Sequence, residues 1–537
     1  MNTVSALCSK LVPFSSPQLT DAPVSTLFYG DNLQVLRNKK LFKDESIDLC
    51  YIDPPFNSKR NYNQIYNRIG TEDRAQAQAF VDTWHWSNEI ALAGYNEILA
   101  NDDGKFSQQT IELFKGLYGV LGHSGLLAYL ISMTLRITEI RRVLKPTGSF
   151  YLHCDQTAGH YLKLVVDSIF VAQGGEYLNE IIWRYTSGGV SKRWLGRKHD
   201  TIFLYSKKVD QHFINIPSEK SYTESLPEPH TESGKQLGVM RDEVCDRCNK
   251  GRPGQKFRFV TMRDVWMDLR SLFRNDEEMT GYPTQKPSWL LERIIKMSTN
   301  EGDVVLDAFC GCGTTISVAE KLGRQWVGID ITYQAISLIL RRLEGEAGPT
   351  KWRELEKTIK IDGIPSDMKS AIALAHKKDD RLRKEFEKWA VLTYTKNRAQ
   401  INEKKGADRG IDGIGYFMAT AKTNAKVVFQ VKSGGVERGD IAKLRGDMER
   451  EKASLAYLIT LEKPTAPMVA AAKEYGVYNH EIMGRSYDVI QIVTIQDIVE
   501  NKIRLDLPMG IEVLKKTKAH DHGEQISLLG GRRSLLH

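Results

Sequence analysis

Apolar runs that stop at an acidic residue recur along the chain. "TLFYGD" ends at Asp31, "IDLCYID" at Asp53, "SFYLHCD" at Asp155 and "RQWVGID" at Asp330, while "DVVLDAF" passes through Asp307. Between several of them stand stretches with apolar positions at helical spacing: "LLAYLISMTLRITEIRRVLK", "GHYLKLVVDSIFVA" and "SWLLERIIKMST". Near-continuous apolar strands alternating with amphipathic helices predict an α/β fold with a parallel sheet. In such sheets ligands bind outside the carboxyl ends of the strands, so the terminal aspartates are expected to face one crevice.

The rhythm breaks over about 185–283, a polar stretch studded with basic and aromatic residues, as in "RYTSGGVSKRWLGRKHD" and "KGRPGQKFRF". It reads as an inserted subdomain. Charge density rises after 345, in "HKKDDRLRKEFEKW", and a second α/β pattern begins near 385. The expected organisation is therefore a first domain over 22–345 carrying the insertion, a helical connector over 346–384, a smaller α/β domain over 385–505 and a loose tail over 506–537. No internal repeat is seen.

Composition narrows this picture only moderately. The chain has 537 residues, enough for two to four domains with proper cores, and its 41% hydrophobic and 26% charged content is that of an ordinary soluble protein. No apolar run reaches the ~18 residues needed to span a bilayer. The opening "MNTVSALCSKLVPFSSPQ" lacks the basic start and long apolar block of an export signal, so a cytoplasmic location and no membrane partner are expected. Seven cysteines without regular spacing point to reduced thiols rather than a disulfide framework. The formal charge of +8 permits a nucleic-acid partner without demanding one.

Two stretches carry the chemistry. In "YIDPPFNSKRNY" a strand ends at Asp53, and Pro54 and Pro55 stiffen the turn that follows, fixing the directions of Asp53 and Phe56. In "DVVLDAFCGCGTTISVAEKLGRQWVGID" a buried strand reaches Asp307. The chain then turns through Phe309, Gly311 and Gly313 into a helix starting near Thr314. Glycines there allow a tight turn and close approach of a ligand to the helix N-terminus, and Asp330, about 20 residues on, stands where an acid can hold ribose hydroxyls. The third glycine of the dinucleotide fingerprint and the Gly-Lys-Ser/Thr ending of a triphosphate loop are both absent. Cys310 and Cys312 have no third ligand beside them and read as small loop residues.

These two stretches resemble the amino-methylating DNA methyltransferases: "DPPF" is similar to their catalytic tetrapeptide and "DAFCGCGTT" to their cofactor loop. "YPTQKP", "YGDNLQVL", "RRVLKPTGSFYLHCD" and "NEIIWRY" are similar to further blocks of that family, and the resemblance spans about residues 25–345. Catalytic motif first, basic insertion next and cofactor loop last is the order of the family's β class, which methylates adenine N6 and, less often, cytosine N4. The resemblance implies a circularly permuted Rossmann-like sheet, S-adenosylmethionine as methyl donor and double-stranded DNA as substrate; it leaves a homodimer open.

It also implies roles. The Asp53 carboxylate and the Pro54 carbonyl would accept the hydrogens of an exocyclic amino group, with Pro55 keeping the turn rigid and Phe56 stacking on a base rotated out of the duplex. Asp330 would bind the cofactor ribose and Asp31 its adenine edge. Asp307, Phe309, Gly311 and Gly313 would line the remainder, and Lys286 would pair with the methionine carboxylate. For Asp31 a helix cap, and for Lys286 an ordinary exposed lysine, are the alternative readings. Asp rather than Ser before the two prolines favours adenine; a cytosine-N4 or RNA methyltransferase, and a non-catalytic DNA-binding protein on the same scaffold, are the rivals.

The insertion is the natural DNA reader, with Lys192, Arg193, Arg197 and Lys198 as candidates beside a plain solvated face. Lys59 and Arg60 after the catalytic turn are candidate phosphate contacts. Cys245 and Cys248, with His230 nearby, form a lone pair with weak zinc character.

Further on, "KKGADRGIDGIGYF" and "KVVFQVKSGG" place an Asp before one strand and Gln-x-Lys on the next. With "GDIAKLRGDME" and "LAYLITLEKPTAPMVAAAKEYG", this is similar to the methyl-directed restriction branch of the PD-(D/E)XK nucleases. The resemblance implies magnesium on Asp412, Gln430 beside the metal and Lys432 activating water. Gln in place of an acid weakens metal binding, and an inactive DNA-binding domain is the competing reading.

Overall fold

The computed structural model describes residues 25–55, 60–65, 76–82, 90–185, 195–222, 237–239, 256–273, 276–280, 282, 284–376, 380–402, 410–420, 423–481 and 483–507. The first half contains β1 (Thr26–Tyr29), β2 (Ile47–Ile52), a hairpin of β3 (Arg60–Ile65) and β4 (Gln76–Asp82), β5 (Leu144–Cys154), β6 (Glu176–Arg184) and β7 (His199–Ser206). A three-stranded sheet of β8 (Ser218–Tyr222), β9 (Leu237–Val239) and β10 (Lys256–Thr261) follows, then β11 (Val265–Trp266), β12 (Val304–Asp307), β13 (Gln325–Asp330) and β14 (Lys360–Asp362).

Nine of these strands form one sheet in the order β11-β6-β7-β5-β2-β12-β13-β1-β14. Leu49 and Tyr51 of β2 and Val305 of β12 face one apolar cluster, which includes Leu290, Leu291 and Ile294 of helix Ser288–Ser298. Cys50, Ile52 and Leu306 face the other, with Leu127, Leu130 and Ile137 of helix Gly125–Val143. Burial on both faces is why these strands read as near-continuous apolar runs.

Two features differ from the sequence expectation. The stretch expected as an insertion, 185–283, contributes β7 and β11 to the main sheet, so only the β8-β10-β9 sheet stands apart from it among the described residues. In addition, β7 runs antiparallel between β5 and β6, a departure from the parallel sheet expected. Beyond residue 345, helix Tyr333–Thr358 continues across a kink at Gly348, and β14 pairs in parallel with β1.

The second half has β15 (Gln400–Ile401), β16 (Gly413–Met418), β17 (Asn424–Lys432), β18 (Leu455–Thr460) and a hairpin of β19 (Val477–His480) with β20 (Arg485–Asp488). These are followed by β21 (Ile490–Thr494). The sheet order is β15-β16-β17-β18-β21, antiparallel as far as β17 and parallel after it. Helix Asp380–Tyr394 packs Phe386 and Trp389 into the same apolar cluster as Tyr333 and Ile336 of the first half. No helix of the described residues is long and apolar enough to cross a membrane.

Candidate functional site

Strands β2 and β12 are parallel neighbours, with Val305 opposite Leu49 and Leu306 opposite Cys50. The Asp-Pro-Pro turn and the glycine loop therefore leave the same end of the sheet from adjacent strands. Asn32 ties in the turn after β1, donating from Nδ2 to the Ala308 carbonyl at 2.7 Å. Three segments far apart in sequence thus meet at one crevice, as the terminal aspartates predicted.

The glycine loop needs its glycines. Gly311 has φ +47°, and a Cβ there would lie 3.2 Å from the Tyr282 ring; Gly313 has φ +74°, and its Cβ would lie 2.5 Å from Ile339 Cγ1. Asp330 holds the loop from the next strand. Its Oδ2 accepts from the Gly311 amide at 3.0 Å, and its Oδ1 accepts from the Thr332 amide and hydroxyl, each at 2.9 Å. Burial pushes the Asp330 carboxyl up to about 6, against the opposing pull of those hydrogen bonds. Asp307, 4% exposed, accepts from the Phe309 amide at 3.0 Å, and burial raises it to about 7. Cys50, Cys154, Cys310 and Cys312 are buried free thiols, each pushed up by burial, and are inert packing groups.

At the Asp-Pro-Pro turn, Pro54 is buried and Pro55 half-buried. Asp53 Oδ2 accepts from Lys286 Nζ at 2.5 Å, while Oδ1 is buried without a hydrogen-bond partner among the described residues. Lys286 is therefore not an exposed lysine: it is 9% exposed and pairs with the residue expected to act on substrate. Its segment is locked from both sides. Gln285 accepts from Thr280 and donates to the Glu278 carbonyl at 2.7 Å, and the Lys286 carbonyl accepts from the Thr314 hydroxyl at 3.2 Å. Asp31 is the N-cap of helix Asn32–Arg37, accepting from the Gln34 amide at 3.1 Å, and it pairs with Arg136 at 2.8 Å.

Residues that sequence reasoning missed line the rear of the crevice. Tyr51 Oη meets His153 Nδ1 at 2.9 Å, His153 Nε2 meets Asp200 at 3.2 Å, and Tyr185 donates to Asp200 at 3.0 Å. Burial raises the Asp200 carboxyl, but the His153 ring, the Lys286 ammonium and the Tyr185 hydroxyl outweigh it and hold the group below the usual carboxylate range. The signal was a histidine inside the otherwise apolar "SFYLHC". Asp155 is half-buried at its strand end; it accepts from the Thr157 amide and hydroxyl, and its charge acts on Tyr185 together with that of Asp200.

Arg197 is exposed and Lys198 half-buried. Phe56, Lys59, Lys192, Arg193, His230, Cys245 and Cys248 lie outside the described residues, as does the side chain of Arg60.

In the second half, Asp412 Oδ2 accepts from the Val431 amide at 2.6 Å, and Lys432 pairs with Asp440 at 2.9 Å. Gln430 is 3% exposed, and its side-chain carbonyl has no hydrogen-bond partner among the described residues. Among the described residues no three His, Cys, Asp or Glu side chains are grouped so as to hold a metal ion.

Comparison with known proteins agrees with this geometry. Residues 47–341 match the N6/N4 methyltransferase family, described as DNA methylase, and residues 382–499 match a NACHT-associated inactive restriction endonuclease family. The DNA adenine methyltransferase YhdJ of Escherichia coli is 27% identical over 321 residues, covering 59% of this chain and 82% of that protein. The type II methyltransferase M2.DpnII of Streptococcus pneumoniae is 27% identical over 335 residues, covering 59% and 92%. Among solved structures, the cytosine-N4-specific PvuII DNA methyltransferase aligns with 63% of this chain and 97% of its own at 16% identity and a TM-score of 0.35. The methyl donor of the matched family is S-adenosylmethionine. With its two motif loops on adjacent strand ends and more than half its length matched, the chain belongs to the N6/N4 DNA methylase family and carries an inactive-restriction-endonuclease-like domain behind it.

Proposed function

We propose that this protein transfers a methyl group from S-adenosylmethionine to the N6 amino group of adenine in double-stranded DNA. The observation that carries the reading is the Asp53 carboxylate, held through Oδ2 by Lys286 while Oδ1 keeps its acceptor capacity at the crevice. An exocyclic amino nitrogen is a poor nucleophile because its lone pair is spread into the ring. Acceptance of its two hydrogens by Asp53 Oδ1 and the Pro54 carbonyl draws the lone pair onto nitrogen, and two prolines keep those acceptors in register. Lys286 serves this step by fixing Asp53, a role at variance with the pairing to the cofactor carboxylate expected from sequence.

The residues fit the cofactor. Gly311 and Gly313 fold the loop into a tight positive-φ turn against Tyr282 and Ile339, and Asp330 is half-buried, with lone pairs in excess of its protein hydrogen bonds. When bound, the cofactor supplies an activated methyl on a sulfonium. Adenine is favoured over cytosine by the Asp at position 53, and a relative named as an adenine enzyme supports it.

For the C-terminal domain the reading is engagement of DNA without cleavage. The expected metal ligand Asp412 accepts a backbone amide, the expected water-activating Lys432 is paired with Asp440, and the matched family is described as inactive, so magnesium has no supported site there.

The test is incubation with mixed-sequence duplex DNA and cofactor labelled on the methyl group, followed by nucleoside analysis. N6-methyladenine is expected; N4-methylcytosine would overturn the base assignment. Full transfer by Asp53→Ala would overturn the site. Cutting of methylated or unmethylated DNA with magnesium, lost in Asp412→Ala, would overturn the non-cleaving reading.

A further inference from the structure

Helix Tyr333–Thr358 starts three residues after Asp330, and its first turn has more than one partner. Thr332 is the N-cap and accepts from the Ala335 amide. The Tyr333 amide, which no carbonyl of its own helix can satisfy, donates at 3.0 Å to Oε2 of Glu385. Glu385 belongs to helix Asp380–Tyr394 of the second half, is 8% exposed, and is itself held by Lys388 at 2.8 Å. A buried carboxylate at a helix N-terminus gains from both the free amide and the helix dipole.

The same tyrosine reaches further. Its hydroxyl meets Thr393 of helix Asp380–Tyr394 at 3.0 Å, and its ring meets Tyr29 edge-on at 6.0 Å between centroids. Tyr29 ends β1, immediately before Gly30 and Asp31, and the Gly30 amide donates to the Asp330 carbonyl at 2.9 Å. Two of the loops that would receive the cofactor, after β1 and after β13, therefore lean on one residue whose amide and hydroxyl are both held by the C-terminal half. From Glu385 the chain of contacts runs through Tyr333, Thr332 and Asp330 to the Gly311 amide.

We propose that Glu385 is a positioning residue for the methyl-donor site, through which the restriction-endonuclease-like half sets the affinity of the methyltransferase half for its cofactor. This rests on the reading of the crevice as an S-adenosylmethionine site. Coupling is reciprocal: cofactor bound between the two loops steadies helix Asp380–Tyr394 as much as that helix steadies the loops.

The experiment uses the full chain. S-adenosylmethionine affinity is measured by calorimetry for wild type, Glu385→Ala, Glu385→Gln and Thr393→Val. KM for the cofactor and kcat at saturation are measured alongside, with hydrogen exchange over residues 380–394 with and without cofactor. Glu385→Ala is expected to weaken cofactor binding roughly 5- to 50-fold, the usual range of a coupling between sites, and to raise KM without a matching fall in kcat. Glu385→Gln keeps an acceptor for the Tyr333 amide and recovers most of the affinity. Thr393→Val weakens binding by a smaller factor, and the cofactor slows exchange over 380–394.

Wild-type affinity in both Glu385→Ala and Thr393→Val, with exchange unchanged by the cofactor, would overturn the inference while leaving the site intact. Should Glu385→Ala fail to fold, Thr393→Val and the wild-type exchange experiment decide it. Failure of wild type to bind S-adenosylmethionine would instead remove the cofactor reading, and the inference with it.

Discussion

One contact gives Lys286 a second reading. Sequence alone left it between an ordinary lysine and a partner for the cofactor; the structure places its ammonium against Asp53 with both groups largely withdrawn from water. Substituting Lys286→Met leaves the Asp53 carboxylate without its cation in a poorly solvated crevice. The expected cost is roughly 3 kcal/mol of stability, read by denaturant unfolding. The kinetic expectation is sharper: kcat falls and KM for the cofactor stays near wild type, because the lost contact is to the carboxylate proposed to accept from the target amino group. A rise in KM alone would return Lys286 to the cofactor. Asp53, Asp307, Gly311, Gly313 and Asp330 were legible in the sequence because each is fixed by its own backbone: a strand end, a rigid turn, a positive φ. The roles of Arg136, His153 and Asp200 were not, because each depends on a partner from a distant strand or helix.

The glycine loop with its two flanking strands behaves as a unit, and its pH dependence follows from burial. Asp307 titrates at about 7 in the folded protein and near 3.9 when unfolded, so the folded state binds its proton more tightly. Its contribution to stability is then fully present below about pH 4 and is lost as pH rises through 7. Asp307→Asn keeps an oxygen to accept from the Phe309 amide and abolishes the titration. The variant should gain stability relative to wild type between pH 5 and pH 8, on the order of a few kcal/mol, measured by thermal unfolding at both values. An equal difference at the two pH values would contradict the buried ionisation.

The steric requirement of the loop is separable. Gly313→Ala places a methyl against Ile339 and forces a side chain into the left-handed region, costing about 1–2 kcal/mol in backbone strain alone and weakening cofactor binding. Ile339→Ala in the same chain should restore part of the loss, the clash, and none of the strain. A double variant no better than Gly313→Ala would mean that strain alone matters. Here too the sequence was informative about the loop and silent about its neighbour: no periodicity announces that Ile339 will pack under Gly313. Antiparallel β7 escaped notice for a related reason, since "DTIFLYS" reads as a buried strand in either direction.

The molecule as a whole is less divisible than its two sequence matches suggest. A boundary near 345 was drawn where charge density rises, but charge reports exposure along a helix, not the end of a core. The helical backbone breaks at Gly348, three residues past that point, yet Arg398 pairs with Glu344 across the junction at 3.1 Å. Phe386 and Trp389 are fully buried in a cluster that also contains Tyr333 and Ile336. Truncating Phe386→Ala opens a cavity in that shared core, at an expected cost of about 3–5 kcal/mol. If the halves share a core in the thermodynamic sense, the loss is felt by both. Hydrogen exchange should then accelerate in parallel at Val304–Asp307 of the first sheet and Leu455–Thr460 of the second. Exchange that accelerates at Leu455–Thr460 while Val304–Asp307 keeps wild-type protection would show two independently folding units. Parallel acceleration makes the C-terminal domain part of what holds the methyl-transfer site in shape.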